Sequence, residues 1–165
     1  MKASRNVIRA ATVCLAVGAS GTALAVDCAT GNLIGQTVDE VVINGQSCYM
    51  ERVVVTGNVT VVDSEDLTMY RVDVGGTIRV IGGGTALLVA NTGQGMAVRN
   101  NEYVNLVTNV AVRNIRVVNN LKANVKKNAA PIILCRGNLR LDSYQNEAVE
   151  NRCRALGGGF DDIGG

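Results

Sequence analysis

The apolar pair Val41/Ile43 recurs down the chain as Val59/Val61, Ile78/Val80, Met96/Val98, Ile115/Val117 and Ile133/Cys135, about 18 or 19 residues apart throughout. Residues two apart point to the same side of a β-strand, so each pair marks a short half-buried strand. A fixed period of this size is too short for a helical hairpin and fits one coil of a β-solenoid. A second pair rides along in each coil as Cys48/Met50, Leu67/Met69, Ala86/Leu88, Val104/Leu106 and Ala123/Val125, and a third appears as Val53/Val55 and Val72/Val74. Three short strands per coil predict an all-β chain: a short parallel β-helix of about six coils over residues 38–136, triangular in section and filled by the inward side chains.

The chain opens with Lys2, Arg5 and Arg9, an apolar run from Ala10 to Val17, and Ala23-Leu24-Ala25. A basic start, a short apolar middle and an A-x-A ending are the parts of a secretory signal peptide, cleaved after Ala25. The run is shorter than the roughly 20 residues a membrane span requires, so no integral membrane segment is expected after cleavage. Neither Cys14 nor Cys28 follows the Leu and small residue that a lipid-modified Cys requires. Loss of the three leader cations from 16 Lys and Arg leaves 13 against 14 Asp and Glu, a net charge of −1. Such a chain does not read as a nucleic-acid binder. Lys122, Lys126 and Lys127 form a basic cluster that reads as a solvated or edge-protecting group.

Cys28, Cys48, Cys135 and Cys153 remain after the leader, and in an exported chain they read as disulfides with three connectivities. Cys28 and Cys48 lie 20 residues apart and Cys135 and Cys153 lie 18, about one coil in each case. Stacked rungs are roughly 4.8 Å apart, inside the usual Cα separation for a bridge. An early–late pairing would span four or five rungs, so the solenoid selects Cys28–Cys48 and Cys135–Cys153. With no His and no C-x-x-C, a zinc site is disfavoured, and no cofactor motif is present. Bridges there would staple residues 26–37 and 137–156 as end caps, where a solenoid otherwise exposes unpaired backbone and core.

The strings TVDEVVINGQSC and VVVTGNVTV, followed by ILCRGN and NEAVENRC, resemble those of a family of small exported bacterial right-handed parallel β-helix proteins with no settled function. The resemblance covers most of the chain beyond the leader and implies fold and export but no catalytic residues. The chain departs from the family pattern after Cys135, where LRLDSYQ stands in place of a Pro-rich loop.

Gly75-Gly76 and Gly82-Gly83-Gly84 do not open a helix and no Walker lysine follows, so they read as corner residues with positive φ. Asn91, Asn109 and Asn128 fall in the column that holds Val53 and Val72 in earlier coils, where stacked amides can bond from rung to rung. Glu65 and Glu102 share a corner two rungs apart, with Asp63 and Asp66 nearby. They are the best carboxylate pair for a small carbohydrate-active enzyme. Such enzymes line a sugar cleft with aromatics; here there is no Trp, and the single Phe lies in the tail. An ice-binding face would need a repeated T-x-T column, which Thr56, Thr60, Thr68 and Thr77 do not make.

If the second pair points inward, Tyr70, Leu87, Val89 and Val107 point outward on that face and make a contiguous apolar patch, which often marks an interaction site. The tail Gly157–Gly165 is flexible by composition and reads first as plain disorder, the alternative being a short docking peptide, carrying Phe160 and Ile163, for a partner or a neighbouring copy. The favoured expectation is an exported, non-catalytic binding or structural protein. It would contact a cell-surface, matrix or polysaccharide partner, or another copy of itself, through a flat β face.

Overall fold

In the computed structural model, which describes residues 25–153, every regular element among those residues is a β-strand. The strands join into one 16-stranded sheet in which every pairing is parallel. Valine and isoleucine dominate the inward positions because a β-branched side chain fits a pleated, half-buried surface. Partner strands lie one coil apart in sequence, so the sheet winds as a parallel β-solenoid of about 7 turns.

Register fixes which residues share a column. On the first face the buried column runs Val41, Val59, Ile78, Met96, Ile115 and Ile133, with Ile43, Val61, Val80, Val98, Val117 and Cys135 beside it. On the second face Met50, Met69, Leu88, Leu106 and Val125 stack below Leu33, next to Cys48, Leu67, Ala86, Val104 and Ala123. The third face is narrower. Val38, Val55 and Val74 give way to Gly93, Ala111 and Ala130 as the chain proceeds.

Where coils differ in length, the extra residue is extruded. Gly93 and Gly95 pair with Ala111 and Asn114, so Val112-Arg113 stand opposite Gln94 as a bulge, and Val112 is 62% exposed. A bulge of this kind keeps the inward columns in step.

Two corners repeat one device. After the second face the backbone enters the left-handed region at Gly35, Arg52, Arg71, Ala90, Thr108, Lys127 and Gln145; after the first face it does so at Gly45, Asp63, Gly82, Asn100, Asn119 and Gly137. The next residue turns inward, and in the later coils it is asparagine. Asn91, Asn109, Asn128 and Asn146 stack at one corner: the Oδ1 of each accepts the backbone N–H of its predecessor, Asn109 Oδ1 from Asn91 N at 3.0 Å and Asn128 Oδ1 from Asn109 N at 2.9 Å. Each Nδ2 donates to a strand carbonyl of the coil before, such as Asn109 to Leu88 O at 2.9 Å. Asn101, Asn120 and Asn138 form a second ladder at the other corner. Asparagine suits this place because one side chain supplies both an acceptor and a donor where the backbone ladder breaks. Among the described residues, no buried side-chain nitrogen or oxygen lacks a partner.

Gly82 and Gly83 adopt positive φ as the corner reading requires. Gly75, Gly76 and Gly84 do not, and a different need holds them. A Cβ at Gly76 would lie 2.6 Å from the carbonyl oxygen of Gly57 on the neighbouring coil, so close approach excludes a side chain there.

Both disulfides form as the spacing indicates, with Cα separations of 5.8 Å for Cys28–Cys48 and 4.5 Å for Cys135–Cys153. The stack is longer than the six coils expected, because the charged segment after Gly137 is itself a rung. Arg140–Tyr144 pairs with Lys122–Lys126 and Glu150–Arg152 with Ile132–Arg136. Residues 1–24 and 154–165, which take in nearly all of the expected leader, the end of the expected C-terminal cap and the whole tail, lie outside the described residues.

Candidate functional site

The second face is a flat parallel sheet whose outward side chains form two columns. One runs Glu51, Tyr70, Val89, Val107, Lys126 and Tyr144; the other runs Tyr49, Thr68, Leu87, Asn105, Asn124 and Asp142. Strand alternation puts Leu87 and Val89 outside because Ala86 and Leu88 are buried between and beside them. Tyr70, Val89 and Val107 are therefore direct ladder neighbours, with Leu87 beside Val89 on the same strand. All four are half-buried, so the patch is flat and lies flush with the sheet.

Tyrosines frame this patch. All four tyrosines of the chain project from this one face: Tyr49, Tyr70 and Tyr144 in the two columns, and Tyr103 at the strand entry paired with Thr85 and Lys122. Strand alternation in the sequence puts Tyr49 and Tyr70 outward on this face but does not reveal that Tyr103 and Tyr144 join them. The available signal was that each tyrosine is adjacent in sequence to an inward second-face residue, namely Cys48, Met69, Val104 and Ser143. Cations sit over three of the rings: Arg71 over Tyr70 at 4.9 Å, Lys122 over Tyr103 at 5.3 Å and Lys126 over Tyr144 at 4.7 Å. Each such contact holds a ring in place at modest energy.

Charge on the face is locally paired. Lys126 Nζ meets Asp142 Oδ2 at 2.9 Å, and the hydrogen bond to Asp142 holds its ammonium above the ordinary lysine range. Tyr49 Oη donates to Glu51 Oε2 at 2.9 Å, and that bond raises the phenol's pKa. Lys122 and Lys126 of the basic cluster thus lie on this face over tyrosine rings, while Lys127 takes a left-handed corner position.

The acidic corner has the register read from the sequence. Gly84 pairs between Glu65 and Glu102, placing the two carboxylates at one corner, two rungs apart. Both are exposed. Glu102 borders a shallow hollow with Tyr103, Leu121, Lys122, Leu139 and Arg140 that Glu65 does not line. Among the described residues, no group of three His, Cys, Asp or Glu side chains is placed to hold a metal ion, and no helix is long and apolar enough to cross a membrane. No family model, no curated protein and no solved structure matches the chain.

Proposed function

We propose that the protein is an exported, non-catalytic adhesive or structural module whose second face docks on a protein of the cell envelope or matrix. The observation that carries this is the gathering of all four tyrosines around the flush patch of Tyr70, Leu87, Val89 and Val107. Tyrosine is enriched in protein interfaces because it combines a large apolar body with a polar tip at low entropic cost. A flat parallel sheet with cation-braced rings gives a rigid contact surface that needs little ordering on binding. Two disulfides at the ends favour an oxidising compartment, which agrees with the leader motif and with the resemblance to small exported bacterial β-helices.

The test is the double variant Leu87→Lys/Val89→Lys. Both positions face outward, so the thermal transition is expected to stay within a few degrees of wild type. Attachment of the labelled protein to intact cells and purified matrix is expected to be lost, because two charges must be desolvated at the contact. Attachment equal to wild type would make the face bystander surface, and a misfolded variant would contradict the register. The competing reading, a carbohydrate-active enzyme, draws on the alignment of Glu65 with Glu102. It predicts release of reducing or unsaturated ends from polysaccharide that Glu102→Gln abolishes; neither form is expected to release any.

A further inference from the structure

The first face carries a different chemistry on its outward side. Arg79, Ala97, Arg116, Leu134 and Arg152 are successive ladder partners in one outward column, and Ile81, Arg99, Val118 and Arg136 in the other. Each rung from residue 77 to residue 152 therefore presents one arginine, alternately left and right, with an aliphatic residue at the complementary position on every rung but the last. Arg79, Arg99, Arg116, Arg136 and Arg152 are all exposed, while Ile81, Ala97, Val118 and Leu134 are half-buried.

The guanidinium groups consequently form the outer layer and the aliphatic groups lie lower. Glu150 pairs with Arg152 at the last rung. Among the described residues the other four arginines form no ion pair, and the rungs from 77 to 136 place no carboxylate on this face. Arg79, Arg99 and Arg116 line a shallow depression of about 380 Å³ together with the outward Ala97 and Val118.

A face evolved only for solubility would intersperse both signs. Here the sign is single and the period regular. Direct stacking of like charges on adjacent rungs destabilises a sheet, and the zigzag gives one cation per rung without it. Rung spacing sets the cation repeat at ~4.8 Å along the axis and ~9.6 Å on each side.

We infer that the first face binds a linear acidic polysaccharide laid along the solenoid axis, its carboxylates taken alternately by Arg79, Arg99, Arg116 and Arg136. An extended polymer with two-fold symmetry offers its acidic groups on alternate sides, and the guanidinium fork matches a carboxylate bidentately. Single-stranded nucleic acid fits less well because its bases need aromatic platforms, and every tyrosine lies on the second face. A bilayer fits less well because the aliphatic groups lie beneath the charges.

The experiment measures binding of fluorescein-labelled polymannuronate and polygalacturonate fragments by anisotropy, with neutral dextran as control. Wild type is expected to bind both uronates and not dextran, and to weaken as salt rises. Arg99→Gln/Arg116→Gln keeps the side-chain stems and is expected to lower affinity by at least about tenfold, with the thermal transition unchanged.

Arg71→Gln/Arg140→Gln removes the same charge away from this face and is expected to bind as wild type; an equal loss there would mean diffuse attraction and overturn the proposal. So would failure of wild type to bind either uronate, or preferential binding of an oligothymidylate or of vesicles containing phosphatidylglycerol. Leu87→Lys/Val89→Lys is expected to retain uronate binding, so failure of the second-face reading and failure of this one are told apart.

Discussion

Asparagine 109 shows what a single inward polar residue does in this fold. Its Oδ1 takes the backbone N–H and one Nδ2 proton of Asn91, and its own Nδ2 reaches the carbonyl of Leu88, all in fully buried surroundings. Asn109→Ala leaves those groups without partners where water cannot reach, so a loss of roughly 2 to 4 kcal/mol is expected. Asn146 closes the same ladder at its part-buried end, where water can substitute; Asn146→Ala is expected to cost about 1 kcal/mol. Urea midpoints of the two variants check the order, and equal costs would deny that burial sets the price.

Tyr49 gives a second test at this scale. Its bond to Glu51 stabilises the protonated phenol, so its folded pKa lies above its unfolded one. That contribution is complete below the unfolded pKa and is lost as pH rises through the folded value. With no tryptophan in the chain, phenolate absorbance is expected to follow Tyr49 ionising above the ordinary tyrosine range, and Glu51→Gln is expected to move that ionisation to lower pH. The first asparagine ladder was legible because Asn91, Asn109 and Asn128 inherit a column already marked by Val53 and Val72. The second was not, because earlier coils carry Ser64 and Gly83 at that corner, and Asn-Asn dipeptides read as turns. In each of them one residue takes the left-handed turn and the next points inward.

At the scale of the rung, inward and outward residues carry separate information. Arg140, Asp142, Glu147, Glu150 and Arg152 made the segment after Gly137 look like a polar lid, yet Leu141 and Ala148 pack against the core. The last rung is thus a true coil whose outer side is charged, and its disulfide ties it to the coil before. Because a solenoid rung touches only its neighbours, Cys153→Ser is expected to loosen this end first. Opening the 18-residue loop costs about 3 kcal/mol by chain entropy. Hydrogen exchange is expected to quicken over residues 140–152 while Val59–Tyr70 and Thr77–Val89 keep their protection. Uniform deprotection would show that the solenoid unfolds as one unit.

At the scale of the molecule the same core supports faces of unlike chemistry. The buried columns were readable because inward pairs repeat. The arginine zigzag was not, because its members lie 16 to 20 residues apart and alternate position, so no local window shows a basic patch and a net charge near neutral hides it. Sequence spacing and surface spacing diverge whenever a chain coils.

Independent faces yield a joint prediction. Cells carrying wild-type protein through the second face are expected to recruit fluorescent polyuronate from solution through the first. Arg99→Gln/Arg116→Gln should coat cells and recruit little polymer; Leu87→Lys/Val89→Lys should bind polymer in solution and bring none to cells. Sites on separate faces with no shared partner contribute additively, so the quadruple variant should lose each property to the extent its parent does. Flow cytometry with the two labels reads both at once. Loss of both properties in either double variant would mean one shared surface and would remove the case for a bridging solenoid.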